Sequence, residues 1–160
     1  MRTASSGHMM CRVRISHLSS GSTSVRFIAH PSAIPHARHW AAEQARVHGF
    51  APHSVHTVEL LVTEAVTNAV MHGPPAGAVQ VSLDPTGATL RVSVRDDSDA
   101  LPVLRTPPPT ALSGRGVLLI DRLADAWGVQ PHTDGGKTVW FEVVREEGTV
   151  PGPRNPHAAG

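Results

Sequence analysis

LLVTEAVTNAVMHG, residues 60–73, combines an apolar stripe with a polar row at helical spacing. Extended back to residue 55, the apolar positions are Val55, Val58, Val62, Ala65 and Ala69, at intervals of 3, 4, 3 and 4. That is the repeat of a helix with one buried face. Ser54 is placed to cap its start, and Gly73-Pro74-Pro75 stops it. Glu64, Asn68 and His72 recur at i, i+4 and i+8 and so stand in one row beside the stripe. A carboxylate one turn from a carboxamide suits a site holding a divalent cation and a polarised hydroxyl. The Asn oxygen is a hard ligand for Mg²⁺, and Glu accepts a proton from an attacking water or alcohol. A polar helix flank is the plain alternative for the same row.

On the N-terminal side, residues 24–29 (SVRFIA) read as a strand. Ser32 is placed to cap a helix over 33–48, with Pro35 in its first turn and Ile34, Ala37, Ala41 and Ala45 on one face, ended by Gly49. On the C-terminal side the period becomes two. Val79, Val81 and Leu83, then Leu90, Val92 and Val94, alternate with polar residues across a turn at Pro85-Thr86-Gly87, which predicts a hairpin with one buried face. A polar connection over 97–113 holds Pro107-Pro108-Pro109. A helix over 115–124, a strand over 126–130, a Gly135-Gly136 turn and a strand over 137–144 complete the order. The pattern predicts an α+β fold, a two-layer α/β sandwich with helices on one face of a mixed, mostly antiparallel sheet. Trp40, Trp127 and Trp140 are expected to pack its core.

The two ends differ from the middle. Residues 1–22 show no sustained period and read as a flexible tail, as do the Pro-, Gly- and Ala-rich residues 146–160, which leaves 23–145 as a single domain. Lys and Arg total 14 against 13 for Asp and Glu, a balance that excludes a strong basic footprint for direct nucleic-acid binding. No apolar run approaches the roughly 20 residues of a membrane-spanning helix. The single cysteine, Cys11, excludes a disulfide scaffold and a cysteine-based zinc site and is compatible with the cytoplasm. His36 and His39 lack metal-ligand spacing.

Three further clusters carry chemistry. Asp96-Asp97-Ser98-Asp99 closes a strand, where an Asp can accept a hydrogen bond from an exocyclic amine such as that of adenine; a turn rich in Asp and Ser is the alternative. Gly114-Arg115-Gly116 opens a helix, where backbone N–H groups and the helix dipole favour phosphate, or where glycine merely loosens a helix entry. Gly135-Gly136-Lys137-Thr138 resembles the end of a P-loop, but Pro131 stands where that motif requires Gly, so it reads as a hairpin turn.

Taken in order, E-x-x-x-N-A-x-x-H (Glu64 to His72), D-x-S (Asp96 to Ser98), G-x-G-V (Gly114 to Val117) and G-K-T-V-W (Gly136 to Trp140) resemble the N box and the three glycine boxes of the GHKL, or Bergerat, ATP-binding fold. Within that fold the chain is most similar to the anti-sigma factor serine/threonine-protein kinases, over about residues 24–144. The resemblance implies ATP and Mg²⁺ as ligands, with a sigma factor and an anti-sigma factor antagonist protein as partners, and a homodimer. It implies that Glu64 is the general base or its activator, that Asn68 coordinates Mg²⁺, and that Asp96, in the box with Ser98, binds the adenine amino group. It further implies that Gly114, Arg115, Gly116 and Val117 cradle phosphates, that Thr138 supports the adenine end close to Asp96, and that His72 sits beside the nucleotide.

The first glycine box departs from its usual D-x-G-x-G: Ser98 and Ala100 replace both glycines, and the lid over 99–113 is short and carries three consecutive prolines. No ligand is lost by these changes. Two other functions fit the same motifs. One is a regulator that binds ATP and a protein partner without turnover. The other is the catalytic part of a histidine kinase, which would need its phospho-accepting helix on another chain.

Overall fold

Arg14–His17 (β1) pairs antiparallel with Thr23–Ile28 (β2), so part of the stretch expected as an N-terminal tail belongs to the sheet. No periodicity announces β1, because its one apolar residue, Ile15, is exposed and the strand is held by its backbone ladder. The computed structural model describes residues 14–17, 21–100 and 116–146. The remaining elements are α1 (Ala33–Val47), α2 (Pro52–His72), β3 (Ala78–Thr86), β4 (Thr89–Asp96), α3 (Gly116–Leu123), β5 (Ala126–Pro131) and β6 (Lys137–Val144). The sheet runs in the order β1-β2-β3-β4-β6-β5. Each of these pairings is antiparallel, so the expected α+β sandwich with a mostly antiparallel sheet is present, with no parallel pair among the described strands.

The period-two residues meet on one face. Val25 and Phe27, Val79, Val81 and Leu83, Leu90, Val92 and Val94, and Val139, Phe141 and Val143 are all buried there. Against them lie Ala33, Ala37, Ala41 and Ala45 of α1 and Val55, Val58, Val62, Ala65 and Ala69 of α2, with Ile120 of α3. The alanines let α1 approach closely, and each fully buried Val or Leu contributes about 1.5–3 kcal/mol.

The helix starts differ from their sequence reading. Ser32 occupies the cap position of α1 without a side-chain cap bond; its hydroxyl lies 2.8 Å from His30 Nδ1 instead. Helix α2 begins two residues before Ser54, with Ala51 extended at the cap and Pro52 at the first helical position, where a missing N–H costs nothing. Ser54 is buried inside the first turn.

The other sheet face carries no helix among the described residues. Trp140, expected in the core, lies on this outer face, because it alternates with the inward Val139 and Phe141. The Arg91 guanidinium stacks 4.0 Å from its ring centroid and also pairs with Glu142 at 2.8 Å. Trp40 and Trp127 do pack against the core. A cavity of about 190 Å³ lined by Arg26, Ala78, Gln80, Arg95 and Asp97 also opens on the outer face, away from the helices.

Candidate functional site

Helix α2 packs on β3, β4 and β6 between α1 and α3. Its row of Glu64 and Asn68 stands beside the buried stripe, both side chains half-buried, and ends at an exposed His72. Two threonines interleaved with the row satisfy themselves on their own helix. Thr63 Oγ1 donates to the Glu59 carbonyl at 2.7 Å and Thr67 Oγ1 to the Thr63 carbonyl at 2.6 Å. Neither hydroxyl therefore competes for Glu64 or Asn68, whose side chains make no hydrogen bond or ion pair to the described residues. Burial pushes the Glu64 carboxyl above its ordinary pKa. A half-buried, unpaired carboxylate with a raised pKa is the state expected of a proton acceptor.

Asp96 ends β4 on the inner face, the side that α2 covers, opposite Val79 on one neighbour and Lys137 on the other. It is buried, as is Lys137, whose Nζ lies 3.0 Å from Asp96 Oδ1. The Ser98 backbone N–H donates to the same oxygen at 2.7 Å, and Ser98 Oγ in turn accepts from the Ala100 N–H at 3.2 Å. The neighbouring carboxylates tie the turn down. Asp97 Oδ2 accepts from the Ala78 N–H at 2.8 Å, and Asp99 Oδ1 from the Gly136 N–H at 3.0 Å. The acidic segment is thus both a built turn and the holder of one inward carboxylate.

The β5–β6 hairpin closes against this turn. Gly135 and Gly136 both have positive φ, and a Cβ on Gly136 would collide with the Asp96 carbonyl oxygen. That close approach fixes the register Asp96 to Lys137 and Arg95 to Thr138. Thr138 therefore lies on the outer face, where its Oγ1 is 2.7 Å from His132 Nε2. The expectation that Thr138 sits close to Asp96 is corrected: strand alternation gives the inward position to Lys137.

The structure thus brings Glu64, Asn68, Asp96 and Ser98 to the helix-covered side of the sheet. Val117 is buried in the first turn of α3, which Gly116 opens. Gly114, Arg115 and residues 101–113 of the expected lid lie outside the described residues. Lys137 was missed from the sequence, although a signal was there. The inward rows Leu90-Val92-Val94-Asp96 and Lys137-Val139-Phe141-Val143 each contain one charge, and the two charges are opposite.

A nucleotide with Mg²⁺ fits these residues. Mg²⁺ needs few protein ligands when phosphate oxygens and water complete its octahedron. One carboxamide free of bonds to the described residues, a turn from a half-buried carboxylate, meets that demand. Among the described residues, no helix is long and apolar enough to cross a membrane.

Residues 27–143 match the family described as the histidine kinase-like ATPase domain. The anti-sigma F factor of Anoxybacillus flavithermus is 29% identical over 93 residues, which are 51% of this chain and 64% of that protein. The anti-sigma F factor of Geobacillus stearothermophilus is 28% identical over 96 residues, 53% of this chain and 66% of that protein. An uncharacterized protein of Streptomyces coelicolor is 40% identical over 78 residues, 46% of this chain and 72% of that protein. The chain thus spans just under two thirds of the length of these two anti-sigma F factors.

Proposed function

The chain belongs to the histidine kinase-like ATPase domain family, and from that membership we propose that it is an ATP-binding regulatory serine/threonine-protein kinase of the anti-sigma factor type. The observation that carries the kinase reading is Glu64, half-buried, unpaired among the described residues and raised in pKa, one turn from Asn68. Glu64 accepts the proton of a serine or threonine hydroxyl on the protein substrate. The hydroxyl oxygen bonds to the γ-phosphorus of ATP, and the bond from that phosphorus to the bridging oxygen of ADP breaks. Asn68 would hold Mg²⁺, which when bound neutralises phosphate charge. Asp96, fixed by Ser98, receives the adenine amino group. Gly114, Arg115, Gly116 and Val117 would hold the phosphates, with His72 at the outer end of the row. Positioning and charge neutralisation supply most of the rate in such transfers.

The names of the two anti-sigma F factors support a sigma factor as partner; an anti-sigma factor antagonist as second partner, a homodimer and a cytoplasmic location complete the proposal. Incubation with γ-labelled ATP and candidate antagonist proteins tests the reading; label on a serine or threonine of one of them is the expected result.

One observation favours a second reading. The Asp96 carboxylate is already engaged by Lys137, and the first glycine box has Ser98 and Ala100 in place of both glycines. A stiffened adenine end suits a regulator that holds nucleotide and partner without turnover. Tight ATP and sigma factor binding with no label transferred to any antagonist would select it.

A further inference from the structure

We propose that the cavity on the outer face of the sheet binds a small free α-amino acid, with Arg26 and Arg95 holding its carboxylate and Asp97 its ammonium. The cavity opens on the face away from Glu64 and Asn68, so the proposal goes beyond the nucleotide reading and does not depend on it.

Strand register builds the site. Arg26 of β2 stands opposite Gln80 of β3, and Gln80 stands opposite Arg95 of β4. All three alternate with buried, inward residues and so share the outer face. With strands about 4.8 Å apart, the two arginine backbones are roughly 10 Å from each other, a gap that two guanidiniums can close on one carboxylate. Ala78, two residues before Gln80, contributes only a methyl group, and the hollow there is the cavity of about 190 Å³. Asp97 completes its lining. It follows Arg95 by two positions, about 7 Å along the strand direction.

Two opposite charges line this cavity without meeting. Arg26 makes no side-chain hydrogen bond or ion pair with the described residues. Arg95 turns to Asp134 rather than to Asp97, its Nη2 lying 3.1 and 3.3 Å from the two Asp134 oxygens, which leaves its Nε and Nη1 donors unused among the described residues. Asp97 Oδ2 accepts from the Ala78 N–H at 2.8 Å, and Oδ1 has no donor among the described residues. A matching ligand brings a carboxylate to the guanidiniums and a donor to Asp97 within a few ångströms. An α-amino acid carries both on one carbon. Phosphate would set further negative charge against Asp97, and a plain carboxylate would leave Asp97 unmet. The volume is below the roughly 300–1,000 Å³ of sites for drug-sized ligands, which limits the occupant to a few heavy atoms. Arg26, Arg95 and Asp97 are exposed, so each contact is screened and the affinity is expected to be millimolar.

The test is NMR titration of the full chain with L-alanine, propionate and inorganic phosphate, following the backbone amides of Ala78 and Gln80. L-Alanine is expected to shift both amides saturably with a millimolar Kd. Propionate, which lacks the ammonium, should bind about fivefold more weakly, the size of one exposed ion pair. The variant Arg26→Gln should lose a similar factor for L-alanine, and it keeps the fold because Arg26 is exposed and bonds to none of the described residues. No saturable shift with L-alanine overturns the site. Equal binding of L-alanine and propionate, or tighter binding of phosphate, overturns the amino-acid assignment. Equal affinity of wild type and Arg26→Gln for L-alanine overturns the placement of the carboxylate.

Discussion

Lys137 and Asp96 face each other across β6 and β4, their charged atoms 3.0 Å apart in a layer otherwise built of valines. Removing one charge leaves the other buried and unpaired. Lys137→Met should therefore destabilise the fold by about 3–5 kcal/mol, and Asp96→Asn/Lys137→Met by markedly less. Urea unfolding of the three proteins measures the difference; equal losses in single and double variants would show that the pair is not desolvated.

Glu64 makes the protein pH-sensitive in two opposite ways. Its folded pKa is raised by burial, so the folded state holds the proton more tightly than the unfolded state. The associated stability is fully present below the ordinary Glu pKa of 4.5 and is lost as pH rises through the raised value. Glu64→Gln should thus gain in urea midpoint relative to wild type on going from acid to neutral pH. Phosphate transfer should move the other way, rising with pH as the base ionises. Parallel midpoints for the two proteins across that range would count against the burial of this carboxyl.

Asn68→Ala should remove most of the Mg²⁺-dependent part of nucleotide affinity. Titrations with and without the ion measure it, and a variant whose Mg²⁺ dependence equals that of wild type would remove Asn68 from the metal site.

Gly136→Ala should cost at least about 1 kcal/mol, because its φ is positive and a Cβ would strike the Asp96 carbonyl. Gly87, also at positive φ but with open space around it, should lose less on the same substitution. Thermal melts of the two variants compare them.

Much of this architecture was legible because each core element has a clean period. The 3, 4, 3, 4 spacing of α2 and the alternation in β3, β4 and β6 place buried residues where the structure has them. Strand β1 was not legible, since it is four residues long and its one apolar residue, Ile15, is exposed, which leaves no alternation to read. Residue type put Trp140 with the core and the family resemblance put Thr138 beside Asp96, whereas counting alternation from Val139 sends both side chains to the outer face. The same count would have found Lys137. The Glu64–Asn68 row was visible from helical spacing alone, but its freedom from bonds to the described residues and the raised Glu64 pKa required the fold.

The proposed role of Glu64 as proton acceptor in phosphate transfer is decided by the rate of label transfer from γ-labelled ATP to an antagonist protein, wild type against Glu64→Ala. A positioned general base contributes about 10²- to 10⁴-fold. Glu64→Ala is expected to lose transfer by that factor while ATP and sigma factor affinities stay near wild type. Transfer at the wild-type rate in Glu64→Ala, or loss of ATP binding along with transfer, would contradict it.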